Sequence, residues 1–300
     1  MYEKILAQIG RAVYMNRVYI FTSVCYNTFT KWRLPAMNYF KNTRRLVVKV
    51  GTSTLTYETA RLNLRRMDRL ARVLADLRNR GMEIVLVSSG AIAVGVGKLK
   101  LPAKPHDLGG RQACAAVGQC ELMYIYDKLF GEYGQTTAQV LLTRDCVDDA
   151  VRLNNIRSAF ARLLDLGALP IINENDTVAT EEIEFGDNDT LSAVVARAVR
   201  ADALVILTDI DGLHAQNPKE YPDAPLIHVV DKIDENTKRI AGGAGSARGT
   251  GGMYTKVVAA ELATAAGITT AIVDGSDPEI LYRLLGGEAV GTVFTANGGM

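Results

Sequence analysis

The chain has 300 residues, of which 48% are hydrophobic and 22% are charged, and its formal net charge at pH 7 is +1. This composition is that of a globular protein and excludes a disordered chain, and no apolar run approaches the roughly 18 residues of a membrane-spanning helix. The four cysteines and three histidines are too few and too irregularly spaced for a disulfide framework or a histidine-rich metal site.

Residues 1–44 form a basic, aromatic leader. Residues 1–56 contain nine Lys/Arg and one acidic residue, and nine of the 20 aromatic residues lie in the first 40 positions. An acid-poor leader with arginines is typical of an organellar transit peptide, but Met37 lies just before the first predicted strand and indicates an internal start. Residues 1–36 hold five Lys/Arg and Glu3, so without them the formal charge falls from +1 to −3. We expect no role for them in the chemistry.

From residue 45 onward, short apolar runs alternate with segments whose apolar residues have helical spacing. Runs such as LVVKV and IVLV are typical of buried strands. Strands are predicted at 46–50, 84–87, 137–142, 168–172, 203–207 and 268–273, and helices at 62–80, 110–133, 151–166, 191–199, 253–266 and 278–285. The alternation predicts one α/β domain over 45–295, a three-layer α/β/α sandwich with a mainly parallel central sheet, followed by a short tail at 296–300.

Small and polar residues follow most of the predicted strands. Ligands of open α/β sheets bind beyond the carboxyl ends of the strands, so these residues predict a ligand cleft. They are Gly51-Thr52-Ser53, Ser88-Ser89-Gly90, Asn173-Glu174-Asn175-Asp176 and Thr208-Asp209. Lys49 stands within the first apolar run, and a charged side chain in a buried run has a partner or a ligand.

A glycine-rich segment at 242–256, GGAGSARGTGGMYTK, leads into the helix predicted from Met253. Glycines let the backbone approach an anion, and the amide groups at a helix start form an anion-binding nest. The segment has neither the Gly-Lys-Ser/Thr of a Walker A loop nor the spacing of a dinucleotide fingerprint. Alone it is compatible with a surface loop, but the following helix and the Lys49-x-Gly51 element favour a phosphate site. Asn188 and Asp189, just before a predicted helix, are equally compatible with simple capping.

Residues 45–294 resemble the glutamate 5-kinase family of the amino acid kinase superfamily. The resemblance is carried by VVKVGTSTLT (47–56), LVSSGAIAVG (86–95), PIINENDTVAT (170–180), FGDNDTLSAVVA (185–196) and GTGGMYTK (249–256). NENDTV together with GDND is specific to this family, whereas the two lysine elements alone indicate only the superfamily. The resemblance implies the amino acid kinase fold and a cytoplasmic enzyme. It also implies ATP- and Mg²⁺-dependent phosphorylation of the γ-carboxylate of L-glutamate, the first step of proline biosynthesis.

The resemblance also implies roles for individual residues. Lys49 and Lys256 match the lysines that hold the transferring phosphoryl group, and Asp189 matches the aspartate that orients them. Matched glutamate-binding positions are Ser89, Asp176 and Asn188, with Asn173 and Asp187 nearby in the same loops. Matched nucleotide-binding positions are Lys49, Gly51, Thr208, Asp209, Thr250, Gly251, Gly252, Met253, Tyr254, Thr255 and Lys256. No residue is expected to bind Mg²⁺ directly, because phosphates and water would hold it.

The chemistry of the implied reaction agrees with these residue types. A glutamate carboxylate, with a reference pKa of about 4.3, is already ionised at neutral pH and needs no general base. The difficulty is to bring two anions together, so catalysis consists of positioning and charge neutralisation. Two lysines, Mg²⁺ and the amides of a glycine-rich loop supply both, and no catalytic histidine is expected.

Two departures from the family pattern and two alternative functions remain. Many members continue into a PUA domain, whereas this chain stops at Met300, so we expect none, and the leader has no counterpart in the family. A homo-oligomer (dimer or tetramer), feedback inhibition by proline, and no nucleic-acid or membrane partner are expected. The alternatives are another amino acid kinase, such as an acetylglutamate kinase, and a non-catalytic amino-acid sensor on the same fold.

Overall fold

The computed structural model of the chain describes residues 38–57, 59, 61–178, 188–242 and 252–296. Its strands are β1 (Arg45–Val50), β2 (Glu83–Val87), β3 (Thr137–Leu142), β4 (Leu169–Glu174), β5 (Ala203–Thr208), β6 (Val229–Val230), β7 (Thr269–Asp274) and β8 (Thr292–Phe294). Its helices are α1 (Thr52–Leu55), α2 (Leu64–Asn79), α3 (Ala91–Lys98), α4 (Leu108–Glu132), α5 (Arg144–Asp148), α6 (Ala150–Asp165), α7 (Asn188–Ala198), α8 (Glu235–Gly242), α9 (Met253–Thr264) and α10 (Ile280–Leu285).

The eight strands form one sheet in the order β3-β4-β2-β1-β5-β7-β8-β6. Neighbouring strands pair in parallel, except that β7 pairs antiparallel with β8. After β1 the chain places β2, β3 and β4 on one side of it, in the spatial order β2-β4-β3, and then places β5 on the other side. The boundary between β1 and β5 is therefore the switch point of strand order, where open α/β sheets bind their ligands.

Apolar side chains cover both faces of the sheet, because successive residues of a strand point to opposite sides. On β1, Leu46, Val48 and Val50 belong to one core cluster, and Val47 belongs to the other. Helices α2, α3, α4 and α10 cover the first face, and α6, α7 and α9 cover the second. The predicted three-layer α/β/α sandwich with a mainly parallel sheet is confirmed.

Two glycines let α3 and α4 pack with their backbones in contact. A Cβ atom on Gly118 would lie 1.8 Å from the carbonyl oxygen of Ala91, and one on Gly95 would lie 1.9 Å from that of Cys114. No larger residue fits at either position unless the helices separate. This contact explains why α3 was not predicted as a helix. Its sequence, AIAVGVGK, has two glycines that disfavour a helix locally, and one of them, Gly95, is needed for packing.

Two predicted boundaries are wrong near the ligand edge of the sheet. The apolar run of β4 ends at Ile172, but its pairing with β3 continues to Glu174, so Asn173 and Glu174 are strand residues. Helix α7 begins at Asn188, so Asn188 and Asp189 lie in its first turn rather than before it. Helices α1, α3, α5 and α8 and strands β6 and β8 were not predicted. Within the described ranges, no helix combines the length and apolar composition that crossing a membrane requires.

Candidate active site

Three charged side chains meet at the carboxyl edge of the sheet. The Nζ atom of Lys49 lies 2.5 Å from Oδ1 of Asp189, and the Nζ atom of Lys256 lies 3.1 Å from Oδ2 of the same carboxylate. The side chains are only 5%, 0% and 6% exposed for Lys49, Asp189 and Lys256. Two ammonium groups share one carboxylate here, so these three side chains together carry a formal charge of +1.

The fold brings this cluster together from three elements. Lys49 shares the β1 face of Val47, because the two are an even number of residues apart, and this face is covered by α7 and α9. Asp189 lies in the first turn of α7, and Lys256 lies in the first turn of α9. Thr255 adds a third contact to Asp189, with its Oγ1 3.0 Å from Asp189 Oδ2.

A second, uncharged cluster lies beside the first. The Nδ2 atom of Asn188 lies 2.9 Å from each of three acceptors: the carbonyl oxygen of Ser88, Oγ of Ser89 and Oδ1 of Asn173. The Oδ1 atom of Asn188 is buried and has no hydrogen-bond partner among the residues that the structure describes. Because Asn188 precedes Asp189 directly, the two clusters share the start of α7.

Helix α4 supports this uncharged cluster from the first face of the sheet. Gln119 Oε1 accepts a hydrogen bond from Asn173 Nδ2 at 2.8 Å, and the Tyr126 hydroxyl lies 2.9 Å from Ser88 Oγ. Burial raises the pKa of Tyr126, the hydrogen bond with Ser88 opposing it, so the phenol stays neutral at physiological pH. Gln119 and Tyr126 are not among the residues predicted from the sequence, whereas Ser88 was predicted only as part of the ligand cleft. The seven-residue spacing of Gln119 and Tyr126, two helical turns, is the one sequence feature that places them on one face.

Glycines sit where the exits of β1 and β2 approach each other. A Cβ atom on Gly51 would lie 3.8 Å from Nζ of Lys49, so the backbone after β1 runs beside the lysine. Gly90, before α3, has φ +90°, a left-handed conformation that glycine adopts without strain. A Cβ atom there would lie 3.3 Å from Cγ2 of Thr52. The two strand exits therefore form one continuous edge.

The predicted nucleotide-binding residues that the structure describes lie at the same edge. Thr208 ends β5, where the preceding Leu207 pairs with Val50 of β1, so it lies near Gly51. Its Oγ1 donates to Oδ1 of Asp209 at 3.1 Å. Gly252 caps α9, and Met253, Tyr254, Thr255 and Lys256 form its first turn, with the Tyr254 side chain exposed.

Four predicted residues remain. Asp176 lies half-buried in the turn that follows β4. Asp187, Thr250 and Gly251 lie outside the described residues.

No group of three His, Cys, Asp or Glu side chains in the described ranges is arranged to hold a metal ion. The donor set at the edge fits an anion instead, since it consists of lysine ammonium groups and closely approaching backbone. A cavity of about 350 Å³ lies elsewhere, lined by Arg45, Arg157 and Arg200, and no predicted site residue lines it.

The sequence model described as the amino acid kinase family matches residues 44–274. The chain belongs to the amino acid kinase family.

Its curated relatives place it within that family. It is 52% identical over 263 residues to a glutamate 5-kinase of Clostridium perfringens, covering 86% of this chain and 98% of that protein. It is 50% identical over 260 residues to a glutamate 5-kinase of Listeria innocua, covering 85% and 94%. A third glutamate 5-kinase, of Caldanaerobacter subterraneus, is 52% identical over 250 residues, covering 83% of this chain and 67% of that protein. The predicted resemblance to the glutamate 5-kinases is confirmed.

Solved structures of other kinases share the fold at low identity. The isopentenyl phosphate kinase of T. acidophilum superposes with a TM-score of 0.58 at 17% identity, covering 83% of this chain and 99% of that one. The UMP kinase of Bacillus anthracis gives 0.56 at 14% identity, covering 86% and 98%. At these identities the likeness supports the fold of this chain and says nothing about its substrate.

Proposed function

We propose that the chain transfers the γ-phosphoryl group of ATP to the γ-carboxylate of L-glutamate, forming L-glutamyl 5-phosphate, the first step of proline biosynthesis. The observation that carries this proposal is the buried Lys49–Asp189–Lys256 cluster beside the polar network of Asn188. About 50% identity to several glutamate 5-kinases over more than four-fifths of the chain supports the choice of substrate.

The charged cluster suits the donor side of the reaction. Phosphoryl transfer spreads negative charge over the oxygens of the transferring group, and ammonium groups fixed in advance stabilise that charge. Lys49 and Lys256 supply two such groups, and Asp189 holds both in place through its two oxygens. Asp189 lies between two cations, which makes it an orienting residue and not a base. When bound with ATP, Mg²⁺ neutralises part of the phosphate charge.

The nucleotide would lie along the exits of β1 and β5 and the start of α9. We assign Gly51, Thr208 and Asp209 to it, together with residues 250–256. The position of Gly51 beside the ammonium group of Lys49 supports this, because an anion held by that lysine meets backbone and not side chain there.

The uncharged cluster suits the acceptor side. The oxygen of Ser89 accepts from Asn188 Nδ2, so its own O–H group is free to donate to a carboxylate. We assign Ser89 and Asn188 to glutamate binding, with Asn173, Asp176 and Asp187 completing the subsite. The substrate carboxylate is already ionised, so the residues need only hold it in line with the phosphoryl group.

A turnover assay on the purified chain tests this function. ADP release is expected with L-glutamate as acceptor and only at background with N-acetylglutamate or without an acceptor. Preferential turnover of N-acetylglutamate would indicate an acetylglutamate kinase. A folded protein that binds glutamate but consumes no ATP would indicate an amino-acid sensor.

The same assay addresses the extent of the catalytic unit. We propose that residues 45–295 form this unit, so a chain beginning at Met37 should turn over glutamate at the rate of the full chain. A loss of activity in the shorter chain would assign the leader a role in the enzyme.

We also propose that proline inhibits the enzyme at the glutamate subsite, that the enzyme is a homo-oligomer and that it works in the cytoplasm. Proline carries the same α-carboxylate and cationic nitrogen as glutamate, and it should therefore raise the KM for glutamate and leave kcat unchanged. Light scattering measures the oligomer, for which a dimer or tetramer is expected.

A further inference from the structure

A hydrogen-bonded chain of side-chain amides runs from α4 to the start of α7. Gln119 Oε1 accepts from Asn173 Nδ2 at 2.8 Å. Asn173 Oδ1 accepts in turn from Asn188 Nδ2 and from the backbone N–H of Glu174, both at 2.9 Å. This chain joins a helix on one face of the sheet to the residue that we assign to the acceptor substrate.

Backbone groups fix the direction of this chain. The N–H of Glu174 can only donate, so the atom of Asn173 that faces it is the oxygen, and the NH₂ group of Asn173 must point to Gln119. The carbonyl oxygen of Ser88 can only accept, so the NH₂ group of Asn188 faces it. The oxygen of Asn188 is then turned away from these partners, buried and unpaired among the described residues.

We propose that Gln119 is a positioning residue for the amino acid substrate. It accepts a hydrogen bond from the NH₂ group of Asn173 and so keeps that side chain in place. Asn173 in turn holds Asn188 so that Asn188 Oδ1 is presented as an acceptor to the α-ammonium group of glutamate. The proposal rests on the proposed function and adds to it the residue that sets recognition of the ammonium group.

The helix that carries Gln119 is anchored on both sides of this residue. The preceding residue, Gly118, is in backbone contact with α3, where no Cβ atom fits. Two turns further on, Tyr126 contacts Ser88 with its hydroxyl group and is fully buried. The face of α4 therefore touches both strands that carry the acceptor residues, and Gln119 has little freedom to move away from Asn173.

The unpaired oxygen is the reason that orientation matters. A buried carbonyl oxygen that meets an ammonium group forms a charge-assisted hydrogen bond, whereas an NH₂ group in its place would repel the same cation. Without an acceptor at Gln119, the buried NH₂ group of Asn173 loses its partner, so the Asn173 side chain can rotate away. Asn188 then loses the contact with Asn173 that holds it in place, while its contacts with Ser88 and Ser89 remain. Recognition of the α-ammonium group then weakens, while the subsite for the γ-carboxylate stays intact.

Glutarate, which is glutamate without the α-ammonium group, separates these two effects. In the Gln119→Leu variant, we expect the KM for L-glutamate to rise about tenfold. The competitive inhibition constant of glutarate and the KM for ATP should stay within about twofold of the wild-type values. Gln119→Glu keeps an oxygen acceptor for Asn173, so we expect it to restore the wild-type ratio of the glutamate and glutarate constants.

A matched control lies at the other end of the same helix. Gln135, just after α4, donates from Nε2 to Oδ1 of Asn79 at 3.1 Å, so Gln135→Leu also breaks a Gln–Asn contact but far from the acceptor cluster. It should leave both constants unchanged. Should Gln119→Leu not fold, Gln119→Ser removes the acceptor without adding bulk and carries the same expectation.

The possible outcomes distinguish a failure of the proposed function from a failure of the proposed role of Gln119. If wild-type protein does not turn over glutamate, the proposed function fails. If it does, and Gln119→Leu or Gln119→Ser keeps the wild-type ratio of the two constants, Gln119 does not position the substrate. An equal rise in both constants, or loss of the ratio in Gln119→Glu, also overturns the role as an acceptor for Asn173.

Discussion

Strand β1 carries a basic side chain near each end, and the two ends place it in opposite environments. At the amino end, Arg45 Nε lies 2.7 Å from Oε2 of Glu83, and the two side chains are 29% and 43% exposed. Toward the carboxyl end, Lys49 contacts Asp189, and the two are 5% and 0% exposed. One strand thus joins a solvated ion pair to a buried one.

The difference supports the proposed role of the buried ion pair. A solvated pair contributes at most about 1 kcal/mol to stability and is free to vary. A buried pair must overcome the desolvation of both charges, so an apolar replacement of the whole cluster is often as stable or more so. Stability alone does not account for Lys49, Asp189 and Lys256, whereas an anionic substrate does.

Replacing Asp189 should give the largest effect in the molecule. Asp189→Ala leaves two buried ammonium groups without their shared carboxylate, so we expect the free energy of unfolding to fall by about 3–5 kcal/mol. Glutamate-dependent turnover should fall by about 10³-fold or more, because both lysines lose their position. Urea unfolding and steady-state kinetics measure the two losses. Asp189→Asn, which keeps the shape, should retain more stability but remain inactive; an active Asn variant would contradict the charge argument.

The second prediction concerns the scaffold behind the acceptor cluster. Gly118→Ala places a methyl group 1.8 Å from the Ala91 carbonyl oxygen, so we expect a loss of about 3 kcal/mol or more in the free energy of unfolding. Gly131 lies on the same helix with nothing within 4 Å of a Cβ atom. Gly131→Ala should be neutral or stabilising by up to about 1 kcal/mol. Equal effects in the two variants would show that the backbone contact of α3 and α4 is not needed.

At the amino end of β1, the effect should be small. Arg45→Gln removes a half-exposed ion pair, so we expect a loss below about 1 kcal/mol and an unchanged kcat for glutamate. Thermal unfolding and turnover assays measure both. A loss of activity comparable with that of Asp189→Ala would remove the distinction between the two ends of the strand.

The smallest effect should come from a pH-dependent pair on the surface. Burial alone would lower the pKa of His214, but hydrogen bonds to Asp211 and the Ala224 carbonyl, with the Asp211 charge, raise it overall. A raised folded pKa stabilises the protein fully below the unfolded value of about 6.5, and this contribution is lost as the pH rises through the folded pKa.

Urea unfolding of wild type and His214→Gln at pH 5.5 and 8.5 isolates this contribution. The difference between the two proteins should be greater at pH 5.5, by less than about 1 kcal/mol, because Asp211 is mostly exposed. A difference that grows toward pH 8.5 would reverse the expected sign.

The sequence predicted six of the eight described strands, and the family resemblance implied the charged cluster, but neither predicted the support beneath the site. Hydrophobic periodicity and apolar runs indicate which residues a strand or helix buries. They were therefore sufficient to predict the central strands and to single out Lys49 as a charged residue within one of them. Helix α3 was not predicted, because its two glycines disfavour a helix when considered alone, although one of them, Gly95, permits the contact with α4. Gln119 and Tyr126 are ordinary residues in a long helix, and only the fold shows that their side chains reach Asn173 and Ser88.

The boundaries of β4 and α7 show the same limit. An apolar pattern ends at the last apolar residue, whereas hydrogen bonding between strands continues through Asn173 and Glu174. Asn188 and Asp189 were predicted to precede a helix, because the apolar helical pattern begins at Leu191 and both residues are compatible with capping. In the structure they start the helix, and their side chains serve two different clusters.

The central claim is that the buried cluster stabilises the phosphoryl group during its transfer. The kinetics of Lys256→Ala test this claim most directly. Lys98→Ala is the matched control, since Lys98 forms an exposed ion pair with Glu121 at 2.7 Å. We expect Lys256→Ala to lower kcat by about 10²–10³-fold with the KM for glutamate within about threefold, and Lys98→Ala to change neither. A Lys256→Ala enzyme with nearly wild-type kcat would contradict the account.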